Sequence, residues 1–238
     1  MEKFLSGKKA VVTGATRGIG RAIAERLLRD GARVAICGRS QDAVDRAVRE
    51  LARDAEGEVI GVEADVGNLD QVRALFDFVD HRFGGLDILV NNAGLGVFSS
   101  VRDLSPKDWQ RTLDTNLTGV YFCCHEALTR FRNRGGVFVI NISSLAGKNA
   151  FAGGAAYNAS KFGLNGFSEA LMLDHRYDDV RVCTIMPGSV ATDFNARSQD
   201  DNWKIAAEDV AEVVSAVLRM PARTLVSRVE MRPSKPLK

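Results

Sequence analysis

The sequence predicts an α/β fold, one domain over residues 1–238 in which a parallel sheet carries helices on both faces. Three observations lead there. Short apolar runs alternate with helical patterns along the chain, the mark of right-handed β-α-β crossovers. A glycine cluster follows the first run directly and opens a helix. Residues able to do chemistry fall just after the apolar runs, where the carboxyl ends of parallel strands would gather them at one sheet edge.

Each element has its own warrant. Lys9 to Thr13 is a short apolar strand that runs into Gly14-Ala15-Thr16-Arg17-Gly18-Ile19-Gly20. The helix after it shows Ile23, Ala24, Leu27 and Leu28 at helical spacing and ends near Asp30-Gly31. Ala32 to Cys37 is a second strand, Gln41 to Arg53 a helix, and Glu58 to Ala64 a third strand. Leu69 to Phe83 places Val72, Leu75, Phe76 and Val79 on one helical face, and Leu86 to Val90 follows as strand four. Ser105-Pro106 opens a long helix, with Ser as N-cap and Pro at the first helical position, running to about Arg132 with a break expected near Gly119. Val137 to Ile142 is strand five, and the helix holding Tyr157 and Lys161 runs to about Arg176. Val180 to Met186 is strand six, stopped by Pro187-Gly188. A polar stretch from Asp193 to Lys204, a helix over Ala206 to Arg219 and a strand over Thr224 to Met231 complete the pattern, with the tail expected to fray.

Composition narrows the function. Hydrophobic residues make up 45% and charged residues 26%, which is ordinary for a soluble globular protein. With 32 basic and 30 acidic residues the formal net charge is +2, which argues against nucleic acid or a membrane surface as partner. No apolar stretch approaches a membrane span, and no apolar signal core precedes the first strand. Cys37, Cys123, Cys124 and Cys183 form no C-x-x-C, and His81, His125 and His175 are scattered, so no metal site is expected. This cysteine usage suits a reducing, cytoplasmic compartment.

The glycine cluster reads T-G-x-x-x-G-x-G. Glycines there let the backbone turn tightly and approach a pyrophosphate at the positive end of the following helix. Alone, such a cluster is as often a structural turn; after the first strand of a β-α-β chain it points to a dinucleotide. An acidic residue after strand two would hold a ribose 2′-hydroxyl, but that place reads Cys37-Gly38-Arg39-Ser40. Arg39 and Arg17 suit a 2′-phosphate instead, which selects NADP(H) over NAD(H), unless both are plain surface arginines.

Tyr157 and Lys161 stand four apart, one turn along a helix face. A phenol beside an ammonium is expected to titrate lower, as an acid–base catalyst near neutral pH requires. The same spacing also occurs on ordinary solvated helices. Ser144, after strand five, could aim a hydroxyl at the same point.

Thr13-Gly14-Ala15-Thr16-Arg17-Gly18-Ile19-Gly20, Asp65-Val66, Asn91-Asn92-Ala93-Gly94, Asn116, Ser144, Tyr157-x-x-x-Lys161 and the segment Pro187 to Thr192 together resemble the short-chain dehydrogenase/reductase family. The resemblance implies a Rossmann-type fold with seven parallel strands in the order 3-2-1-4-5-6-7. It implies a catalytic tetrad of Asn116, Ser144, Tyr157 and Lys161, with Ser144 rather than Ser143 at the family spacing. It also implies cofactor contacts from Gly14, Thr16, Arg17, Gly18, Ile19, Gly20 and Arg39. Further contacts would come from Asp65 and Val66 at the adenine and from Asn92, Ala93 and Gly94 along the ribose. Pro187, Gly188, Val190 and Thr192 would meet the nicotinamide, and Tyr157 and Lys161 would also touch the cofactor. In the family Asn116 holds a relay water; from its residue type it is equally a buried amide bracing a helix. The implied reaction is hydride transfer between NADP(H) and a ketone or secondary alcohol, with Tyr157 as general acid/base.

The same resemblance implies a substrate pocket formed by Leu95 to Phe98, Leu145 to Phe151 and Phe194 to Lys204. Phe98, Phe151, Phe194 and Trp203 either wall an apolar pocket or pack elsewhere. The short last segment suggests an open cleft for a small carbonyl compound. A 3-oxoacyl-carrier-protein reductase is the alternative, although Asp174-His175-Arg176-Tyr177-Asp178-Asp179 is too acidic for an acidic carrier. A non-catalytic NADP(H) sensor or scaffold is the remote one. A homo-oligomer, tetramer or dimer, is implied through the two long helices, where Ala155, Ala159, Gly163, Leu164 and Phe167 suit a close contact.

Overall fold

The structure, a computed structural model, describes residues 3–53, 55, 57–131, 137–192, 194 and 201–236. Arg132, most of the polar stretch 193–204 and the last two residues of the tail lie outside the described residues.

Seven parallel strands form one sheet in the order β3-β2-β1-β4-β5-β6-β7. They are β1 (Lys9–Val12), β2 (Arg33–Gly38), β3 (Val59–Glu63), β4 (Ile88–Asn91), β5 (Val137–Ile142), β6 (Val180–Pro187) and β7 (Arg228–Met231). Between them run α1 (Gly18–Arg29), α2 (Gln41–Leu51), α3 (Leu69–Phe83), α4 (Pro106–Leu113), α5 (Gly119–Arg130), α6 (Ala155–His175) and α7 (Ala207–Leu218). The strand order reverses between β1 and β4, which opens a crevice at the carboxyl edge.

The period-two alternation of buried strands feeds two cores. Ala10, Val12, Val34, Ile36, Ile88, Val90 and Ile140 face α1, α2 and α7 through Ile23, Leu27, Val44 and Val214. Val11, Ala35, Leu89 and Val139 face α3, α5 and α6 through Val72, Phe76, Cys123 and Leu164. Both sheet faces are therefore covered, as a parallel sheet requires. Asp30, at the end of α1, fastens α1 to α7 by accepting from Arg26 Nε at 3.0 Å, Ser215 Oγ at 2.6 Å and Arg219 at 3.2 Å.

Three expectations change. The long helix does not break near Gly119; α4 joins α5 through a π-helical turn, Asp114–Thr118, in which the Gly119 N–H donates to the Asp114 carbonyl. Gly119 serves close packing instead, since a Cβ there would sit 2.8 Å from the Val66 carbonyl oxygen. Strand seven begins at Arg228, not Thr224, because the chain first turns, with the Thr224 N–H bonded to the Pro221 carbonyl at 2.8 Å, and meets β6 only from Thr184 onward. The tail does not simply fray, for Pro233 and Pro236 line the main cleft.

Candidate active site

The cleft at the carboxyl edge has a volume of about 750 Å³. Its floor is the glycine loop between β1 and α1. Gly14 has φ +63°, and a Cβ there would fall 2.7 Å from Ala93 Cα, so both the turn and the approach of the neighbouring loop exclude a side chain. The helix behind the loop starts with its N–H groups open. The helices α2, α3 and α4 are each capped by a side chain (Ser40, Asn68, Ser105), whereas α1, like α5 and α6, has no side-chain cap and no acid in its first turn; α1 is the one that starts at the glycine loop. Its N–H groups and its positive end face the cleft.

The loop after β4 is stapled to the glycine loop. Asn92 Nδ2 donates to the carbonyls of Thr13 and Gly14 at 3.0 Å each. Thr13 Oγ1 accepts from the N–H groups of Asn92 and Ala93 at 3.0 Å each. Thr13 opens the glycine motif but was not among the expected site residues; its place directly before Gly14 was the available signal.

Most of the expected residues line this cleft: Gly14, Thr16, Arg17, Gly18, Ile19, Arg39, Asp65, Val66, Asn92, Ala93, Gly94, Ser144, Tyr157, Lys161, Pro187, Gly188, Val190 and Thr192. Two do not. Gly20 lies beneath it, where a Cβ would stand 2.3 Å from Asn92 Nδ2, so it makes room for the staple. Asn116 is fully buried, and its amide is committed to protein groups. Its Oδ1 accepts from the Leu95 N–H at 2.8 Å, while Nδ2 donates to the Leu95 carbonyl at 2.8 Å and to Ser160 Oγ at 3.0 Å. It braces the loop after β4.

Arg17 and Arg39 are exposed where the glycine loop and the end of β2 line the cleft. The sheet register also brings Glu63 beside Gly38, which reading along β2 alone could not show. That carboxylate is turned onto Gln41, accepting from its backbone N–H at 3.0 Å, and does not line the cleft.

At the other end, Ser144 and Tyr157 meet. The Ser144 hydroxyl stands beside the Tyr157 phenol; it donates to the Pro187 carbonyl at 3.4 Å and accepts from the Ala146 N–H at 3.1 Å. Ser143 points into the protein and donates to Asn165 Oδ1 at 2.6 Å. Lys161 is buried, its Nζ donates to the Ile142 carbonyl at 2.9 Å, and the ammonium lies 5.7 Å from the centre of the Tyr157 ring. Burial pushes its pKa down to about 8. The expected lowering of the Tyr157 pKa is corrected: burial raises it above the usual phenol value, and the Ser144 hydroxyl beside it only partly offsets this. The ammonium, committed to Ile142, does not outweigh the desolvation of the phenolate.

Phe98, Phe151, Phe194 and Trp203 also line this end. Among the described residues no group of three or more metal-ligating side chains occurs, and no helix is long and apolar enough to cross a membrane. All four cysteines are buried and free.

Residues 8–203 match the family model for short chain dehydrogenase. A 3beta-hydroxysteroid dehydrogenase of Mediterraneibacter gnavus is 37% identical over 86% of this chain and 74% of its own length. The crystal structure of a metagenomic short-chain oxidoreductase in complex with NADP is 35% identical, with a TM-score of 0.86 over 98% of this chain and 99% of that one. An alcohol dehydrogenase from the archaeon Thermococcus sibiricus, complexed with 5-hydroxy-NADP, is 29% identical, with a TM-score of 0.89 over 97% of this chain and 99% of that one. With its sheet order, glycine loop and Ser-Tyr-Lys cleft in agreement, the chain belongs to the short-chain dehydrogenase family of oxidoreductases.

Proposed function

We propose that the chain is an NADP(H)-dependent oxidoreductase that interconverts a ketone and a secondary alcohol, with Tyr157 as the general acid/base. The observation that carries this reading is the shared cleft. The Tyr157 phenol, the Ser144 hydroxyl beside it and the Lys161 ammonium stand at one end, and an uncapped helix behind a glycine turn, flanked by two exposed arginines, lies at the other. The cradle fits the cofactor: Gly14 leaves room for a pyrophosphate, the first turn of α1 meets its charge, and Arg17 and Arg39 suit a 2′-phosphate. NADP-bound relatives support the same choice.

When bound, NADPH supplies a hydride to the carbonyl carbon. As the C–H bond forms, the π pair of the C=O bond moves to oxygen, which takes the Tyr157 proton. Ser144 orients that oxygen and stabilises its charge through its hydroxyl. Lys161, held by the Ile142 carbonyl, keeps a positive charge near the resulting phenolate, which is then reprotonated from solvent. The protein's raised phenol pKa keeps the proton in place for donation across the neutral range. Of the two roles open to Asn116, its hydrogen bonds support bracing: it fixes Leu95 and through it the loop over the site.

The reading extends to the whole chain acting as one domain on a small molecule. Exposed Tyr121 on α5 and Phe162 on α6 support a homo-oligomeric contact there, whereas Leu164 is spent on the sheet. The free, buried cysteines support a reducing, cytoplasmic setting. Loss of NADPH absorbance over a panel of ketones tests the activity. Turnover is expected in wild type and not in Tyr157→Phe, with NADPH binding retained in both; unchanged turnover in the variant overturns the mechanism.

A further inference from the structure

Three phenylalanines cluster at the phenol, Phe98 and Phe194 against its ring and Phe151 against Phe98, and take no part in proton or hydride transfer. Phe98 follows β4, Phe151 follows β5 and Phe194 follows β6, so three separate crossovers each deliver one ring to the same place. They remain 43%, 45% and 44% exposed, although each lies in a concave cleft rather than on an outer face. Phe98 is the hub. Its ring centre lies 5.6 Å from that of Tyr157, 5.8 Å from Phe151 and 6.4 Å from Phe194, with interplanar angles of 69°, 48° and 74°. Phe194 in turn lies 5.9 Å from Tyr157. Edges and faces therefore alternate around the phenol, the arrangement aromatic rings prefer.

The rings are set by backbone. Asn116 holds Leu95 by both its N–H and its carbonyl, three residues before Phe98. A β-bridge pairs Ser99 with Gly154, tying the loop of Phe98 to that of Phe151. A second bridge pairs Val190 with Ile205, with the Ala191 N–H bonded to the Ile205 carbonyl at 2.9 Å ahead of Phe194. Gly96 completes the enclosure: a Cβ there would lie 2.7 Å from the Phe98 ring and 2.9 Å from the Phe194 ring. Of the charged groups lining the cleft toward this end, Lys161 donates to the Ile142 carbonyl at 2.9 Å, Lys204 pairs with Asp201 at 2.5 Å and Arg232 with Glu230 at 3.1 Å. Among the described residues this end of the cleft thus presents chiefly the rings of Phe98, Phe151 and Phe194, with the side chains of Leu95 and Leu145, to whatever is joined to the reacting carbonyl.

We infer that the substrate is an aryl ketone, or its secondary alcohol, whose aromatic ring sits at or one carbon from the carbonyl carbon and packs against Phe98 under Phe151 and Phe194. The inference rests on the proposed reductase reading, since it fixes the carbonyl at Tyr157. A ring in that position completes the exposed aromatic surface with edge and face contacts, which an alicyclic or short aliphatic group does not supply.

The test is kcat/KM for NADPH-dependent reduction of phenylacetone, cyclohexylacetone and butan-2-one by wild type, Phe98→Leu and Gly96→Ala. Phenylacetone is unconjugated at the carbonyl, so the three ketones differ mainly in the attached group. In wild type, phenylacetone is expected to exceed cyclohexylacetone by about tenfold and butan-2-one by more. Phe98→Leu and Gly96→Ala are expected to remove most of that preference while NADPH affinity, read by cofactor fluorescence, stays unchanged. Equal kcat/KM for phenylacetone and cyclohexylacetone in wild type overturns the inference and leaves the reductase reading standing. A uniform fall for all three ketones in both variants does the same. NADPH bound but never oxidised, with any ketone, overturns the reductase reading itself.

Discussion

The two ends of the cleft are built from different materials. The nucleotide end is made of backbone: a left-handed Gly14, an uncapped helix start, and a loop stapled through Asn92 and Thr13. The carbonyl end is made of side chains: one phenol, one hydroxyl, one buried ammonium and three phenylalanine rings carried by separate loops. Backbone construction admits few residue types at each position, so it recurs wherever the same ligand is bound. Side-chain construction leaves the three groups proposed for catalysis fixed and the surrounding walls free to differ. A common cofactor and a particular substrate can thus be served by one edge of one sheet.

The sharpest way to separate the two ends is Tyr157→Phe. It is expected to lower kcat by about 10³-fold while the NADPH Kd stays within about threefold, because only the proton donor is lost. A parallel loss of NADPH affinity, seen by fluorescence titration, would join the two ends and break the comparison. Gly14→Val does the converse. Positive φ and the contact with Ala93 together are expected to cost about 2–4 kcal/mol, read as weakened NADPH binding and a lowered urea midpoint. A fully stable variant with normal NADPH affinity would show that the backbone cradle is dispensable. Arg39→Ser is expected to lower the NADPH-to-NADH preference in kcat/KM by about tenfold, since one charge-assisted contact to the 2′-phosphate goes. Equal use of the two cofactors by wild type would remove the arginines from that role.

The smallest effect is one of pH. Burial raises the Tyr157 pKa, so in the free protein its phenol should titrate above the ordinary 10.0 and keep its proton throughout the neutral range. Difference absorbance between wild type and Tyr157→Phe along an alkaline titration reads this directly. A tyrosinate step below that value would mean that Lys161 governs the phenol without help.

The same contrast decides what could be read along the chain. Alternating runs give the strands and helices, because burial on two sheet faces imposes their periods. Gly14 and Gly18 declare the turn, because other residues rarely accept positive φ. What escaped depends on neighbours across the sheet. Glu63 stands beside Gly38 only through strand pairing. Asn116 looks the same whether it holds a water or Leu95, until its amide is seen to be fully engaged. The phenol's burial, which reverses the expected direction of its pKa, comes from rings far apart in sequence. Phe98, Phe151 and Phe194 carry no motif; their place after β4, β5 and β6 marks them as candidate pocket walls or packing residues, and their ring contacts with one another come only from the three crossovers.

The π turn between α4 and α5 has a consequence for tolerated change. It carries one residue more than an α-helical turn would, which lets Asn116 face Leu95 while Val120 and Cys123 face the sheet. An in-frame deletion of a single codon within 114–118 would leave a helix-forming segment of good continuity. It would also rotate one side of the junction by about 100° against the other, so that either the brace or the core face is lost. The long helix should accordingly accept many substitutions and almost no change of length at this one place.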